Sequence, residues 1–337
     1  MTRPEKQPLA IGPIALSEPV ALAPMAGWTD ASFRAAVRAY SRALVVSEMI
    51  ASREAIRAGM AQPRLTGDLA SERPASVQIA GWDPAIMADA ARFVRDHGAE
   101  IVDINMGCPA KKVTKKLAGA ALMQDEALAG RILDSVVAAV DVPVTLKMRL
   151  GWIAGARNAP RLARIAESAG IRALAVHGRT ADQKYGGAAD WRAIRAVKRA
   201  TRLPVFGNGD VRSVDDAAEL LAQSGADGVM IGRGAQGRPW FPGQVAAFLR
   251  DGTRRPDPPA ASILATLERH YDAMLQQYGV YSGVRRARKH LSCYLAGLPG
   301  ATRLREAIFA AEEPVAVKRL IREAFRRAAD RATDLVA

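Results

Sequence analysis

The stretch PVFGNGDVRSVDDAAELLAQSGADGVMIGRG, Pro204 to Gly234, contains two short apolar runs separated by a segment with helical spacing. The runs are PVFGNGDV and GVMIGRG, and the intervening segment covers Ser213 to Gly225. Two strands joined through a helix run parallel, because a crossover returns the chain to the same end of the sheet. The stretch therefore predicts one strand–helix–strand unit of a parallel sheet.

The same unit recurs along the chain. Eight short apolar or β-rich runs begin at Val20, Ala43, Ala75, Glu100, Pro143, Ala173, Pro204 and Gly228. Segments with helical spacing lie between them and cover Pro84 to His97, Asp125 to Ala139, Ala159 to Ala169, Ala189 to Ala200 and Ser213 to Gly225. Eight such units within about 245 residues predict a closed α/β (β/α)₈ TIM barrel, and a doubly wound open sheet is the alternative.

The composition changes after Phe248. The stretch DGTRRPDPPA, Asp251 to Ala260, contains prolines and charges that cannot continue a helix or a central strand. Helical segments follow it, and they cover Ser262 to Gln277, Ser282 to Ala296, Thr302 to Ala311 and Pro314 to Leu335. We therefore expect a barrel over residues 1–248, a linker over residues 249–259 and a small C-terminal helical bundle over residues 260–337.

Charge and composition limit the class of protein. The chain has 48 Lys and Arg against 34 Asp and Glu, a net charge of +14, which favours a polyanionic partner but also fits an ordinary basic protein. The N-terminus MTRPEKQPLA has no hydrophobic signal core, and no uncharged apolar run is long enough to span a bilayer. We expect a soluble, cytoplasmic protein with no membrane partner.

The cysteines and histidines show no pattern of a disulfide or a metal site. Two cysteines far apart in sequence are typical of a reducing compartment, where a disulfide is not expected. Four histidines and two cysteines without ligand spacing predict no metal centre.

Residues capable of chemistry, or small enough for close backbone approach, end nearly every apolar run. In a barrel these ends converge on the C-terminal face, where barrel enzymes hold their active sites. The glycine-rich ends GNGD and GRG, after the seventh and eighth runs, together favour a phosphate held by backbone N–H groups, although either alone would fit a tight turn. The ends are Met25, Glu48, Gln78, Asn105 with Cys108, Lys147 with Arg149, His177 with Arg179, Asn208 to Asp210, and Gly232 with Arg233.

Three side chains at these ends each allow a structural and a functional interpretation. Lys147, within TLKMRL, either extends to solvent or meets an anion or electron-rich ring that offsets its desolvation. His177, within VHGR, taken alone is more often a structural histidine than a catalyst. Cys108, within DINMGCPA, is either a buried structural thiol or a reactive group in the barrel mouth.

A set of motifs in fixed order resembles the tRNA-dihydrouridine synthases, most closely their bacterial B subfamily. The resemblance runs from about Pro24 to Trp240 and continues in RKHLSCYLAGLPG, Arg288 to Gly300. It covers most of the chain, and the ordered set is far more specific than any one motif. The motifs are APMAGWTDASFR, SEM, VQIAG, DINMGCPAKKV, LKMRLGW, VHGRTADQKYGGAADW, NGDV and IGRGAQGRPW.

The resemblance implies FMN in the barrel mouth, NADPH as reductant and a tRNA uridine as substrate. It assigns Asn105 to the target base. One departure is Ala181, where the family commonly has a second arginine, and this leaves a contact to RNA or reductant open. The implied flavin-binding residues are Pro24, Met25 and Ala26 along the flavin, Gln78 and Lys147 at its ring, His177 in an assisting role, and Asn208, Gly209, Asp210, Gly232 and Arg233 at the ribityl and phosphate end.

The chemistry of uracil reduction gives Cys108 a role. Hydride from reduced FMN would add at C6 of the uracil enone, and the resulting enolate would need a proton at C5. A flavin occupies one side of the base, so the proton must come from a separate acid on the other side. A cysteine thiol of ordinary pKa, about 8.5, is mostly protonated at neutral pH, so Cys108 fits as the general acid.

The C-terminal helices carry basic faces that would hold the tRNA. Arg285, Arg286 and Lys289 lie away from an apolar stripe on their helix, and Lys318, Arg319, Arg322 and Arg326 do so on the last helix. We expect Arg285, Arg286 and Lys289 to contact tRNA, and the protein to act as a monomer. Two alternatives stay open: a dihydroorotate dehydrogenase-like barrel flavoprotein acting on a free pyrimidine, and a tRNA-binding factor without catalysis.

Overall fold

The computed structural model describes residues 9–51, 69–298 and 301–334. Residues 1–8 of the predicted barrel and Leu335, the predicted end of the last helix, lie outside this range.

The described strands form a short hairpin and one large parallel sheet. The hairpin is β1 Ala10–Ile11 and β2 Ile14–Ala15. The sheet has the order β4-β3-β11-β10-β9-β8-β7-β6-β5. Its strands are β3 Val20–Leu22, β4 Leu44–Val45, β5 Ile50–Ala51, β6 Ser76–Ala80, β7 Ile101–Met106, β8 Val144–Arg149, β9 Ala173–His177, β10 Val205–Asn208 and β11 Gly228–Ile231.

One bridge closes the sheet into a barrel. Val46, directly after β4, pairs in parallel with Ser76 at the start of β6. Because β5 pairs with β6 just beyond this bridge, β4 and β5 are two parts of the second barrel strand. The eight predicted runs are thus the eight barrel strands, so the predicted (β/α)₈ barrel is confirmed and the open-sheet alternative is wrong.

All five predicted barrel helices are present, and aspartate or serine side chains cap most of their N-termini. Asp83, Asp125, Asp190 and Ser213 each accept a backbone N–H of the first turn. The described α-helices are Ala31–Arg38, Pro84–Asp96, Lys111–Thr114, Glu126–Ala139, Ala159–Ser168, Trp191–Ala200, Val214–Ser224, Phe241–Asp251, Ala260–Leu295, Ala301–Ala310 and Pro314–Asp334, with 3₁₀ turns at Leu69–Glu72, Gly119–Gln124 and Arg233–Ala235.

Apolar and polar side chains alternate along the barrel strands, and this separates the hydrophobic shell from the polar interior. In β7, Val102, Ile104 and Met106 pack in the cluster that contains the outer helices. Side chains on a strand point alternately to its two faces, so Asp103 and Asn105 project into the barrel. The residues that carry polarity are therefore directed towards the barrel axis.

The N-terminal hairpin covers the end of the barrel where the strands begin. Its Ile11 and the following Leu16 pack against Ile101, Ala173 and Phe206, at or near the first residues of their strands. This end is filled by apolar side chains. A ligand is consequently expected at the opposite end, where the strands finish.

The C-terminal helices pack against the barrel and against one another. The long helix Ala260–Leu295 is broken at Gly279, which has φ 72° and ψ 163°, between the two helical segments expected from sequence. The buried cluster of these helices includes Leu267, Leu291 and Ile321, and it also contains Trp240 from the barrel. The predicted barrel followed by a helical bundle is confirmed.

Candidate functional site

A cavity of about 630 Å³ opens at the carboxyl ends of the barrel strands. Every barrel residue to which the sequence analysis gave a role in binding or catalysis lines it, namely Pro24, Met25, Ala26, Gln78, Asn105, Cys108, Lys147, His177, Asn208, Gly209, Asp210, Gly232 and Arg233. Of the other strand-end residues, Arg149 lines the cavity, whereas Glu48 and Arg179 do not. The lining also includes residues that sequence reasoning did not place there, among them Trp28, Met49, Lys111, Lys112, Lys184, Tyr185 and Arg212.

A buried carboxylate organises the side of the cavity formed by β6, β7 and β8. Asp103 accepts hydrogen bonds from Thr145 Oγ1 (2.6 Å) and from Gln78 Nε2 (2.6 Å). The strand register aligns these three residues side by side. Burial raises the pKa of Asp103, while the hydrogen bonds from Thr145 and Gln78 and the charge of Lys147 oppose that shift.

The hydrogen-bond network continues from Gln78 to the turn that carries the thiol. Asn105 Nδ2 donates to Gln78 Oε1 (2.7 Å), and Asn105 Oδ1 accepts the N–H groups of Gly107 (3.1 Å) and Cys108 (2.9 Å). Each amide therefore has a defined orientation, because each of its two ends faces a different partner. Asp103, a residue that sequence reasoning missed, orients the Cys108 turn through Gln78 and Asn105.

Lys147 lies inside the barrel mouth beside the end of β10. Its Nζ donates to Asn208 Oδ1 (3.3 Å), and Asn208 Nδ2 donates to the carbonyl of Met230 (2.8 Å). Burial and the neighbouring charge of Arg149 lower the pKa of Lys147 to about 8, while Asp103 and Cys108 act in the opposite direction. Of the two interpretations that the sequence left open, the structure favours a lysine held within the barrel mouth over one that extends to solvent.

His177 is neutral and accepts a hydrogen bond at Nε2. Arg179, buried behind it, directs Nη1 to this nitrogen (3.3 Å) and also binds Asp210. A guanidinium can only donate, so the imidazole proton resides on Nδ1. Burial, followed by the charges of Lys147 and Arg149, lowers the pKa of His177 well below its ordinary value. His177 is therefore a poor proton donor near neutral pH.

Asp210 is held by two arginines. Arg179 and Arg233 both donate to its carboxylate, as does the N–H of Ala189 (2.8 Å). Although burial acts in the opposite direction, the hydrogen bonds from Arg179 and Ala189 and the arginine charges hold the pKa of Asp210 below its usual range. The carboxylate fixes Arg233 at the edge of the cavity.

Close packing requires glycine after the seventh and eighth strands. Gly209 has φ 124°, and a Cβ there would lie 2.7 Å from Ala189 Cβ and 3.0 Å from His177 Cδ2. A Cβ on Gly234 would lie 2.2 Å from the carbonyl oxygen of Val211. Without side chains at these positions, the backbone itself forms this wall of the cavity.

Arg149 joins two loops around the cavity. Its guanidinium donates to the carbonyls of Gly107 (2.7 Å), Thr180 (2.9 Å) and Lys184 (2.8 Å), and it lies 5.6 Å from the ring centroid of Tyr185. Burial lowers the pKa of Arg149. Its position at the end of a strand was the available sequence signal for this role.

The lining of the cavity is strongly cationic. Among the described lining residues the only carboxylate is that of Asp210, which is already paired. Such a surface favours a polyanionic ligand. The cations are Lys111, Lys112, Lys147, Arg149, Lys184, Arg212 and Arg233.

The three predicted tRNA contacts on the C-terminal helices lie outside this cavity and in different environments. Arg285 donates to Glu312 Oε1 (2.6 Å), and the guanidinium of Arg286 lies 4.7 Å from the ring centroid of Tyr278. Lys289 is half-buried, with Nζ 5.3 Å from the ring centroid of the cavity residue Trp28. Lys289 thus lies at the seam between the barrel and the helices.

Cys293 is distant in function from Cys108. It does not line the cavity, and its backbone and Cβ lie where a side chain on Gly237 would project. Burial raises the pKa of this thiol. Its surroundings fit a packing role.

Comparison with known families identifies the chain. The sequence model described as "Dihydrouridine synthase (Dus)" matches residues 21–330. The chain belongs to the dihydrouridine synthase family. The resemblance read from the motifs is confirmed, including the bacterial B subfamily, whose curated members are among its relatives.

Curated members of the dihydrouridine synthase family match over nearly their whole length. A probable tRNA-dihydrouridine synthase of Rickettsia typhi is 46% identical over 325 residues, covering 96% of this chain and 99% of the relative. The tRNA-dihydrouridine synthase B of Xanthomonas axonopodis pv. citri is 48% identical over 326 residues, covering 94% and 96%. The corresponding protein of Pseudomonas aeruginosa is 49% identical over 296 residues, covering 88% and 89%.

Solved structures support the fold at low sequence identity. Histamine dehydrogenase from Rhizobium sp. 4-9 superposes with a TM-score of 0.57 at 13% identity, covering 79% of this chain and 50% of that one.

In the part of the chain that is described, no helix is both long and apolar enough to cross a bilayer. The same residues contain no group of three His, Cys, Asp or Glu side chains that could bind a metal ion.

Proposed function

We propose that the protein reduces uridines in the D-loop of tRNA to 5,6-dihydrouridine, with FMN in the barrel mouth and NADPH as reductant. Family membership supports the reaction. The observation that carries the proposal is the position of Cys108 in a cationic cavity, on a turn oriented by Asn105. The protein would act as a cytoplasmic monomer on tRNA.

The residues of the cavity fit a phosphorylated flavin. Gly209, Gly232 and Gly234 line one wall of the cavity with backbone atoms, and Arg212 and Arg233 add positive charge nearby. We assign Asn208, Gly209, Asp210, Gly232 and Arg233 to the ribityl and phosphate end, with Asp210 acting by holding Arg233. Pro24, Met25, Ala26, Gln78 and Lys147 would contact the ring, and His177 would assist. A bound reduced flavin would supply the hydride for uracil C6.

The protein would supply the proton and hold the base. Asn105 would contact the uracil while its Oδ1 keeps the Cys108 turn in place. Cys108 would donate its thiol proton to C5. Lys147 and Arg149 line the same cavity as Cys108, so their positive charges would stabilise the thiolate that remains. Because His177 is neutral and accepts from Arg179, the histidine would not compete as the acid.

The test separates the two half-reactions in a Cys108→Ala variant, with Cys293→Ala as the matched control. Flavin reduction by NADPH, followed by absorbance, should persist in both variants. Dihydrouridine formation, followed by nucleoside mass spectrometry of tRNA, should fall by about 10² or more only in Cys108→Ala, the scale expected for a lost general acid. Equal loss of both half-reactions would make the thiol structural.

Substrate choice tests the free-pyrimidine alternative directly. The described cavity lining has seven cationic side chains against one carboxylate, namely Lys111, Lys112, Lys147, Arg149, Lys184, Arg212 and Arg233 against Asp210, which favours a polyanionic substrate. Purified protein should therefore reduce uridine in tRNA and leave free uracil and orotate unchanged under the same conditions. Turnover of a free pyrimidine without tRNA activity would contradict the proposed substrate, and a protein that never binds flavin would contradict the reaction.

A further inference from the structure

A lysine-rich turn follows the Cys108 segment directly. It includes the helix Lys111–Thr114 and continues through Lys115 and Lys116. The side chains of Lys111, Lys112, Lys115 and Lys116 are exposed, whereas Val113 and Thr114 between them are partly buried. We call these four lysines the lysine lip.

The lysine lip is fixed to the turn that holds the thiol. The carbonyl of Cys108 accepts the N–H of Ala120 (3.0 Å), which closes the segment on itself. Gly119, with φ 62°, allows this closure, since a Cβ there would lie 2.8 Å from the Cys108 oxygen and 2.9 Å from Val113 Cγ1. Lys111 and Lys112 line the cavity beside Cys108. The fold of this segment therefore fixes the position of the lysine lip at the rim of the cavity.

The positive charges of the lysine lip have no acidic partner among the residues that the structure describes. None of its four lysines forms an ion pair with a described residue. By contrast, Arg285, Lys318 and Arg322 on the C-terminal helices bind Glu312, Asp272 and Glu268. Lys111 and Lys115 are four residues apart, as are Lys112 and Lys116, and like charges at this spacing on a helical turn repel one another. A bound anion would reduce this repulsion.

The barrel topology separates the lip from the proposed flavin phosphate site. Counted around the closed ring from β3, β7 is the fourth strand and β11 is the eighth. The lip follows β7, and the glycine-rich wall follows β10 and β11. The lysines therefore lie across the mouth from that wall, where a second anion would bind.

We propose that the lysine lip binds the backbone phosphates that flank the target uridine in a single-stranded segment of the RNA. This rests on the proposed function. A base placed beside Cys108 leaves its sugar and phosphates at the rim, where Lys111 and Lys112 extend, and Lys115 and Lys116 continue the charge along the strand. Lysine contacts to phosphate position an RNA without reading its sequence.

The test replaces all four lysines by glutamine and measures the affinity for tRNA as a function of salt. A matched control changes Arg131, Arg164, Arg172 and Arg199 to glutamine, four exposed arginines outside the cavity lining whose removal changes the net charge equally. The lip variant should bind tRNA at least about 10-fold more weakly than the control at physiological salt, and its log–log salt slope should flatten by about 0.7 to 0.9 for each lost contact. If the quadruple variant does not fold, the Lys111/Lys112 and Lys115/Lys116 pairs are changed separately.

The possible results separate this proposal from the reaction itself, because binding is measured without turnover. Equal affinity and slope in lip variant and control would overturn the proposal even if dihydrouridine is formed. A raised KM for NADPH with unchanged tRNA affinity would also overturn it and assign the lip to the phosphates of the reductant. Weakened tRNA binding in a protein that makes no dihydrouridine would support the lip and contradict only the proposed reaction.

Discussion

At the scale of single residues, the buried Asp103 connects three strands to the turn that carries Cys108. Its two oxygens accept from Thr145 and Gln78, and Gln78 in turn orients Asn105. Such a network fixes the orientation of its amide side chains. An amide that loses one partner can flip and exchange its donor and acceptor ends.

We predict that Asp103→Leu and Asp103→Asn have different effects. Leucine leaves the Gln78 and Thr145 donors unpaired, at about 1–3 kcal/mol for each buried group. Asparagine can accept from Gln78 and donate to the Thr145 hydroxyl. It therefore keeps the orientation of the Gln78 and Asn105 amides while it removes the charge. Dihydrouridine formation in single turnover and the urea midpoint should fall strongly only for leucine. Equal damage in both variants would assign the effect to the missing charge near Lys147.

The pKa of Lys147 predicts a pH dependence of flavin binding. Its pKa is lowered from 10.5 to about 8, so the ammonium is present below about pH 8 and is lost as the pH rises further. Because the ammonium is proposed to contact the flavin ring, FMN should bind more weakly above about pH 8, by up to tenfold per pH unit. FMN titrations of apoprotein by fluorescence should show this decline, and Lys147→Met should bind weakly with no step there. A step that persists in Lys147→Met would assign the titration to another group.

Sequence alone located this site because strand ends meet at one face of a barrel. The same rule could not pair Arg179 with Asp210 or Asp103 with Gln78, since those contacts depend on the register of neighbouring strands. A carboxylate in the middle of the apolar run EIVDINMG was nevertheless a signal, because a buried charge requires partners.

At the scale of elements, the long C-terminal helix shows what local sequence can predict. The break expected between Gln277 and Ser282 lies at Gly279, whose φ of 72° and ψ of 163° are essentially restricted to glycine. The first barrel helix and the hairpin at residues 10–15 were not predicted. Strands of two residues carry no measurable alternation, so only tertiary contacts define them.

Gly279→Ala should destabilise the protein through its backbone alone. A Cβ at this position meets nothing within 4 Å, so no steric contact contributes. The strained conformation should cost about 1–3 kcal/mol of unfolding free energy. Gly155→Ala is the matched control, because its Cβ also meets nothing and its φ lies outside the positive range. Equal thermal midpoints for the two variants would show that the helix accommodates alanine by rearranging.

At the scale of the whole molecule, the barrel and the helices meet around a group of aromatic rings. His290 packs against Trp28, with ring centroids 4.9 Å apart, and against Phe33 and His270. Neither ring nitrogen of His290 has a hydrogen-bond partner among the described residues. Because Trp28 also lines the cavity, this seam connects the position of the helices to the shape of the site.

The seam should make the stability of the whole protein sensitive to acid. Burial lowers the pKa of His270 to about 4 and that of His290 well below its ordinary 6.5, with Lys289 acting in the same direction on both and Asp30 opposing it at His270. Below about pH 6.5 these histidines are protonated in the unfolded chain but stay neutral in the folded protein. The free energy of unfolding therefore decreases as the pH falls from about 6.5 towards 4. Each histidine contributes up to about 1.4 kcal/mol per pH unit in this window. Urea unfolding at a series of pH values should show a shallower slope when His270→Gln and His290→Leu are combined. His177, whose pKa is also lowered, remains in this variant and contributes to the slope that is left. A double seam variant that keeps the full slope would place the acid sensitivity elsewhere.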